Sequence, residues 1–139
     1  MEFLSNLTAL NDWGLLALRI ALAAIFIYDG SQKWAMWKMS PSEQMPAGML
    51  NMMKFLSIVE PLGGVAVAVG FLTQLAAIGL GIIMLGAINT KVRVMKVPFA
   101  PQDKTGWEMD LILLAACIAL FFAGAGSMAL DRLWFGIRG

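Results

Sequence analysis

Four apolar runs constrain this chain more than any other feature of its sequence. They cover about residues 13–33, 54–71, 73–90 and 108–125. An α-helix rises about 1.5 Å per residue, so about 20 residues match the roughly 30 Å hydrocarbon core of a bilayer. Charged residues make up only 14% of the chain, whereas a soluble domain has about 25%. The sequence therefore predicts an integral membrane protein with four transmembrane helices.

The connections between the runs predict how these helices are arranged. Only a few residues around Leu72 separate the second run from the third, so these two helices are expected to form a tight antiparallel hairpin. Four helices with short connections typically form an up-down antiparallel bundle. A length of 139 residues is enough for one domain. We therefore predict an all-α membrane protein with a single four-helix transmembrane domain over residues 1–139.

The basic residues predict the orientation of this bundle. They concentrate on the two longer connections, residues 34–53 and 91–107, and on the adjacent helix ends, while the opposite side carries Arg132 and Arg138. Because loops rich in Lys and Arg stay in the cytoplasm, the long loops are predicted to be cytoplasmic and both termini to face outward. Trp134 is then expected at the outer membrane interface.

Missing residue types limit the chemistry of the chain. It has no histidine and one cysteine, Cys117, inside an apolar run. Histidine ligation of haem, the usual zinc and copper sites, and histidine-based catalysis are therefore excluded within this chain. We predict no metal site, because the methionines of residues 34–53 lack the Cys or His that would support Cu(I) binding. The net charge of +1 gives no indication of a nucleic-acid partner.

Ionisable residues within the apolar runs are the candidates for function. Each costs about 2.5 to 3.5 kcal/mol in a membrane helix, so each must face the protein interior, a water-filled cavity or a partner. Helix rise places several polar groups in one layer, roughly 6 to 9 Å below the cytoplasmic boundary. This layer is either a site or a device that fixes helix register. Its predicted members are Tyr28, Asp29 and Lys33 in the first helix, Glu60 in the second, Asn89 in the third and Glu108 in the fourth.

Two further residues bear on this layer. Arg19 lies about 15 Å from Asp29 along the first helix, and its long side chain can reach toward Glu60 to form a buried pair. Pro61 has no N–H and therefore frees the carbonyl group of Ser57, four residues earlier. An unsatisfied carbonyl close to Glu60 favours a polar pocket.

Several short motifs occur in a characteristic order along the chain. They are Arg19, Tyr28-Asp29-Gly30-Ser31-Gln32-Lys33, Glu60 with Gly63-Gly64, Gly70-Phe71-Leu72-Thr73, Glu108 and Leu130-Asp131. Together they resemble the DoxX family, whose prototypes are named as membrane subunits of a terminal quinol oxidase and of a thiosulfate:quinone oxidoreductase. The resemblance implies a subunit of, or an accessory to, a quinone-linked redox complex in the cytoplasmic (inner) membrane of a bacterium or archaeon.

The resemblance also implies that the polar layer binds a quinone head group or handles its protons. Quinone is then the expected, non-covalently bound cofactor. The expected partners are the lipid bilayer and other membrane subunits or further copies of this chain. The family pattern commonly has histidine where this chain has Asp29. A carboxylate can still exchange a proton or accept a hydrogen bond from a quinol, but it cannot ligate haem as histidine does.

Two other functions fit the same polar layer. The chain could transport protons or a small solute, although four helices are few for alternating access, so a transporter would need to be an oligomer. It could instead be a structural subunit that packs against larger membrane proteins and does no chemistry. The sequence contains no self-contained catalytic centre, so it leaves open whether the chain is part of an enzyme.

Overall fold

The computed structural model describes the backbone of residues 2–135 and the side chains of residues 2–133. The predicted interfacial ring of Trp134 and the charge of Arg138 lie outside these described residues. All regular elements in the described part are helical, as predicted. They are α1 (Glu2–Thr8), α2 (Asn11–Gln32) with a 3₁₀-helical turn (Lys33–Lys38), α3 (Ala47–Val69), α4 (Thr73–Asn89) with a π-helical turn (Thr90–Val94), α5 (Trp107–Ala123) and α6 (Leu130–Phe135).

Within residues 2–135, three helical stretches are long and apolar enough to cross a membrane. They are Asn11–Lys38, Ala47–Val69 and Thr73–Val94. The fourth predicted span corresponds to α5, which has 17 residues and therefore measures about 26 Å. The chain thus has the apolar helices of a membrane protein.

A Schellman turn ends α3 and directs the chain into α4. Gly70 adopts the left-handed conformation with φ of 72°, which glycine reaches without steric penalty. The N–H of Phe71 donates to the carbonyl oxygen of Ala66 at 2.9 Å, the bond that defines this type of helix end. Leu72 also has a positive φ, of 49°, so the reversal takes place within three residues.

The long helices pack in two antiparallel pairs. The first half of α2 contacts the end of α3, where Arg19 donates to Val67, and the end of α2 contacts Pro61 in the middle of α3. In the second pair, the side-chain amide of Gln74 in α4 donates to the carbonyl of Phe121 in α5 at 2.8 Å. By contrast, α2 and α5 touch at few points. The first and last of these helices are therefore the least closely packed neighbours.

All four long helices contribute to one apolar core. Its buried residues include Phe26 of α2, Val67 of α3, Leu80 of α4 and Leu120 of α5, each at most 1% exposed. Cys117 is buried in the same cluster as a free thiol. Lipid tails are as apolar as these side chains, so the helices are held by close van der Waals packing and by polar contacts between them. Close packing and polar contacts together therefore determine where the helices meet.

Candidate functional site

Arg19 is 1% exposed and joins three segments at one end of the molecule. Its Nε and Nη2 groups donate to the carbonyl oxygens of Val67 (2.9 Å) and Ala68 (2.7 Å) at the end of α3. Its Nη1 group donates to the carbonyl oxygens of Ala125 (3.1 Å) and Met128 (2.8 Å) after α5. Carbonyl groups at the end of a helix carry partial negative charge, which a cation stabilises. Arg19 is thus engaged in holding the fold together.

Two carboxylates hold the polypeptide around Arg19. The side chain of Asp131 accepts hydrogen bonds from the backbone N–H groups of Leu72 (2.6 Å) and Thr73 (2.9 Å), which lie at the start of α4. The side chain of Asp12 accepts one from the backbone N–H of Ser127 at 3.0 Å and another from the Ser127 hydroxyl. These contacts tie the segment after α5 to α2 and α4. The charged side chains of Asp12, Arg19 and Asp131 therefore all have structural partners at this end.

An ion pair links the 3₁₀-helical turn after α2 to α3 at the other end of the molecule. The Lys33 Nζ atom lies 2.5 Å from Glu60 Oε2, with the Glu60 side chain 3% and the Lys33 side chain 22% exposed. Lys33 also donates to the backbone carbonyl of Asp29 at 3.4 Å. The contact between Lys33 and Asp29 therefore involves the main chain of Asp29 and not its carboxylate. Among the described residues, the Asp29 carboxylate has no hydrogen bond or ion pair.

Pro61 shapes the contact between α2 and α3 beside this ion pair. The carbonyl oxygen of Ser57, which Pro61 leaves without its helical donor, accepts a hydrogen bond from the indole N–H of Trp34 at 2.9 Å. The indole N–H of Trp37 donates to the Ser57 hydroxyl at 2.9 Å. A side chain at Gly30 would overlap the Pro61 ring. Glycine at this position therefore allows α2 to approach α3 closely.

A second ion pair links α4 and α5 at the same end. The Nζ atom of Lys91, in the π-helical turn, lies 2.7 Å from Oδ2 of Asp110 in the first turn of α5. It also lies 3.4 Å from the carbonyl oxygen of Gly106. Asp110 is 7% exposed, so its charge is removed from water and needs this partner. Single π-helical turns frequently occur at functional sites.

A cavity of about 510 Å³ opens where α2 and α5 separate, and we call it the α2–α5 groove. The Lys33 Nζ atom contacts the main chain of Asp29, which is a lining residue, so the Lys33–Glu60 pair lies beside the groove. Its lining combines apolar side chains on the helix faces with charged groups toward the helix ends: Ala24, Ile25, Tyr28, Asp29, Lys91, Thr105, Met109 and Asp110.

The structure brings part of the predicted polar layer together. Tyr28 and Asp29 line the groove, and Lys33 and Glu60 form the ion pair next to it. The predicted contact between Arg19 and Glu60 does not form. Two carbonyl groups at the end of α3 and two in the segment after α5 accept hydrogen bonds from the guanidinium, so it points away from Glu60.

Asn89, at the end of α4, and Glu108, in the first turn of α5, are not part of the groove lining. Asn89 is exposed. Helix rise gives the depth of a residue but does not say whether its side chain points inward or outward. Glu108 is half-buried, and its Oε2 atom has no hydrogen-bond partner among the described residues. The groove lining includes its neighbours Met109 and Asp110 instead.

Lys91 and Asp110 are the charged groove residues that were not among the predicted site residues. Asp110 is an ionisable residue inside the fourth apolar run, as unusual there as Glu60 in the second, and this signal could have identified it. Lys91 follows the third run and is indistinguishable by sequence from the other basic residues of its loop. Only the contact with Asp110 identifies it.

Comparison with known proteins agrees with the motif order. Searches of curated proteins and of solved structures found no match. A family model described as DoxX matches residues 14–93, which is more than half of the 139 residues. The matched range contains Arg19, Asp29, Glu60 and Lys91 and ends before α5. The chain therefore belongs to the DoxX family.

Proposed function

We propose that this protein is a membrane subunit of, or an accessory to, a quinone-linked redox complex and that the α2–α5 groove holds the quinone head group. The observation that carries this proposal is the lining of the groove. Ala24, Ile25 and Met109 form an apolar wall, and Asp29, Lys91 and Asp110 supply charged groups. A quinone has a polar ring and a long apolar tail, so it needs both kinds of surface.

Asp29 is the carboxylate that exchanges protons in this proposal. Glu60 and Asp110 are engaged by Lys33 and Lys91, whereas Asp29 has no such partner among the described residues and lines the groove. A carboxylate within hydrogen-bond reach of a quinol hydroxyl can act as its general base. Oxidation of a quinol releases two protons and two electrons, and Asp29 would receive the protons one at a time.

The electrons pass to a partner subunit in this proposal. The chain has no histidine and a single cysteine, and Cys117 is buried in the apolar core away from the groove lining. A complete oxidoreductase therefore includes another membrane subunit that carries the redox centre. Quinone is the only ligand that we assign to the present chain for this reaction.

We further propose that α5 is the fourth transmembrane span of an up-down bundle. The antiparallel contacts of α2 with α3 and of α4 with α5 support this arrangement. The long loops would be cytoplasmic and both termini outside, in line with the distribution of basic residues. Cysteines introduced one at a time at positions 43 and 103, which are exposed loop positions, in a Cys117→Ala background test this topology when they are labelled from each side of sealed vesicles.

A comparison of three forms of the complex, purified from native membranes, tests the quinone assignment. The forms are wild type, Asp29→Asn and the exposed-loop control Glu43→Gln. Co-purifying quinone, subunit content and quinol-dependent electron transfer are measured for each. We expect Asp29→Asn to assemble normally and lose about a hundredfold or more in turnover, the range for removal of a general base. Unchanged quinone content and turnover in Asp29→Asn would contradict the proposal.

A separate surface, between α4 and α5, favours a role in assembly in addition to quinone binding. An apolar groove of about 250 Å³ runs between α4 and α5 and includes Ala77 and Gly81, small residues that allow another membrane helix to approach closely. A Cβ atom at Gly81 would lie 3.7 Å from the Cβ of Cys117, so Gly81→Ala should fold normally. Gly81→Leu should fill the groove and reduce the amount of complex without lowering turnover per complex.

A further inference from the structure

We propose that the α2–α5 groove also binds lipophilic organic cations, with Asp29 as the counter-charge and the ring of Tyr28 as an aromatic contact. This activity needs no quinone and no partner subunit, so it goes beyond the function proposed above. Both ligands would occupy the same cavity and would therefore exclude one another.

The charges that line the groove favour a cation. Lys91 and Asp110 form an ion pair at 2.7 Å and neutralise one another. The neighbouring Lys33 is engaged by Glu60 at 2.5 Å, which leaves Asp29 as the uncompensated charge of the lining. An ionised carboxylate in a membrane helix is unfavourable without a counter-charge. A bound cation would supply that counter-charge.

The uncharged part of the lining favours an organic cation. Tyr28 precedes Asp29 in the chain, lines the same groove and is 64% exposed. A cation within about 6 Å of an aromatic ring is attracted to its face. Ile25 and Met109 add apolar contacts, and the methionine sulfur is polarisable. These groups suit a quaternary ammonium or phosphonium ion, or a protonated amine, with apolar substituents.

The same lining does not suit a metal ion. Within residues 2–135, no group of three or more Asp, Glu, His or Cys side chains is placed to hold one. Hard metal ions such as Ca²⁺ require six to eight oxygen ligands, whereas a large organic cation is weakly hydrated and needs one counter-charge. The geometry therefore selects the organic class of cation.

Binding of tetraphenylphosphonium to the purified protein in an uncharged detergent tests this proposal. Tetraphenylborate, an anion of similar size and apolarity, is the matched control probe. Equilibrium dialysis should show saturable binding of the phosphonium at one ion per chain and only micelle partition of the borate. Equal binding of both ions would show that the groove has no preference for positive charge and would overturn the proposal.

Variants identify the groups involved. Asp29→Asn should weaken phosphonium binding by at least about tenfold, because a single charge contact in a partly buried site is worth more than this factor. Asp29→Glu should retain most of the affinity, and Glu43→Gln should leave it unchanged. Tyr28→Leu should weaken binding by about threefold or more, and Tyr28→Phe should not, because both aromatic rings present a π-face.

The variant data separate this proposal from the quinone assignment. Wild-type affinity in a folded Asp29→Asn protein, judged by its helical circular dichroism, would overturn the role of Asp29. If Asp29→Asn does not fold, loss of phosphonium binding in Asp29→Glu would overturn it instead. Equal affinities of Tyr28→Leu and Tyr28→Phe would overturn the aromatic contact. None of these results depends on quinone content or turnover of the complex.

Discussion

The indole N–H of Trp34 donates to the carbonyl oxygen of Ser57 at 2.9 Å. Pro61 deprives this oxygen of its helical donor, so a side chain from the end of α2 completes the hydrogen bonding of α3. The contact lies beside the Lys33–Glu60 pair and anchors the 3₁₀-helical turn of Lys33–Lys38 to α3. It therefore fixes the segment from which Lys33 extends.

Replacement of Trp34 by phenylalanine should lower the free energy of unfolding by about 1 kcal/mol, the net contribution of a typical hydrogen bond. The ring is 58% exposed, so little packing is lost. Reversible unfolding in mixed detergent micelles containing dodecyl sulfate measures this change. Trp13→Phe is the control, because the Trp13 ring is 63% exposed and makes no hydrogen bond to residues 2–133. This control should change the free energy of unfolding by less than about 0.5 kcal/mol.

The loss caused by Trp34→Phe should depend on Pro61. Pro61→Ala restores an N–H four residues after Ser57, so the carbonyl oxygen regains a donor within the helix. In the Pro61→Ala background, Trp34→Phe should lower the free energy of unfolding by at most about half as much as it does in the wild type. The four proteins of this double-mutant cycle are compared in the same unfolding assay. Equal costs in both backgrounds would show that the indole does not compensate for the proline.

Gly30→Ala should destabilise the protein by about 1 to 3 kcal/mol, the usual range for overpacking. The added methyl group would overlap the Pro61 ring and force α2 and α3 apart. Gly14→Ala is the matched control in the same helix, because nothing lies within 4 Å of its added methyl group. Alanine is the better helix former by about 1 kcal/mol, so Gly14→Ala should be neutral or stabilising. The reverse order of stability would contradict the close crossing at Gly30.

Arg19→Lys should lower the free energy of unfolding by at least about 2 kcal/mol, because lysine keeps the buried charge but lacks the planar fork of donors. Four carbonyl oxygens accept from this guanidinium, and a lysine ammonium has three N–H groups on one atom. Arg132→Lys, at an exposed position, is the control. Unfolding midpoints that shift equally in the two variants would argue against the role of Arg19 in joining α2, α3 and the segment after α5.

Removal of the two partners of the Lys33–Glu60 pair should have unequal effects. Lys33→Met leaves a carboxylate that is 3% exposed and should cost about 3 kcal/mol or more. Glu60→Gln leaves an ammonium group on a side chain that is 22% exposed, which can extend toward water and should cost about 1 kcal/mol. The double variant should recover much of the loss caused by Lys33→Met. Unfolding measurements can resolve this difference. A greater loss of stability in Glu60→Gln than in Lys33→Met would contradict the predicted asymmetry.

The long helices could be predicted from apolar runs, but their ends could not. The fourth run, 108–125, lies within two residues of α5 (Trp107–Ala123) at each end. In contrast, α3 begins at Ala47, seven residues before the predicted start at residue 54. Its first two turns are polar or methionine-rich, so hydropathy does not register them as part of a span although they are helical.

The level of the polar residues could be predicted, but their directions could not. Helix rise gives the depth of a residue, and Asp29 and Glu60 lie at one end of the molecule as expected. The direction of a side chain depends on how its helix is rotated in the bundle and on what its neighbours offer. Asn89 therefore points outward, and Arg19 turns toward free carbonyl groups that exist only once α3 ends and the segment after α5 folds back.

Arg19 also bears on how the protein is made. It contacts Val67, which is synthesised 48 residues later, and Ala125, synthesised 106 residues later. A ribosome adds about 5 to 20 residues per second, so on the order of 5 to 20 s separates the emergence of the arginine from that of its last acceptors. During that interval, the guanidinium must form its hydrogen bonds with water, lipid phosphate or the insertion machinery. The contacts of Arg19 with the segment after α5 can therefore form only once that segment has been synthesised.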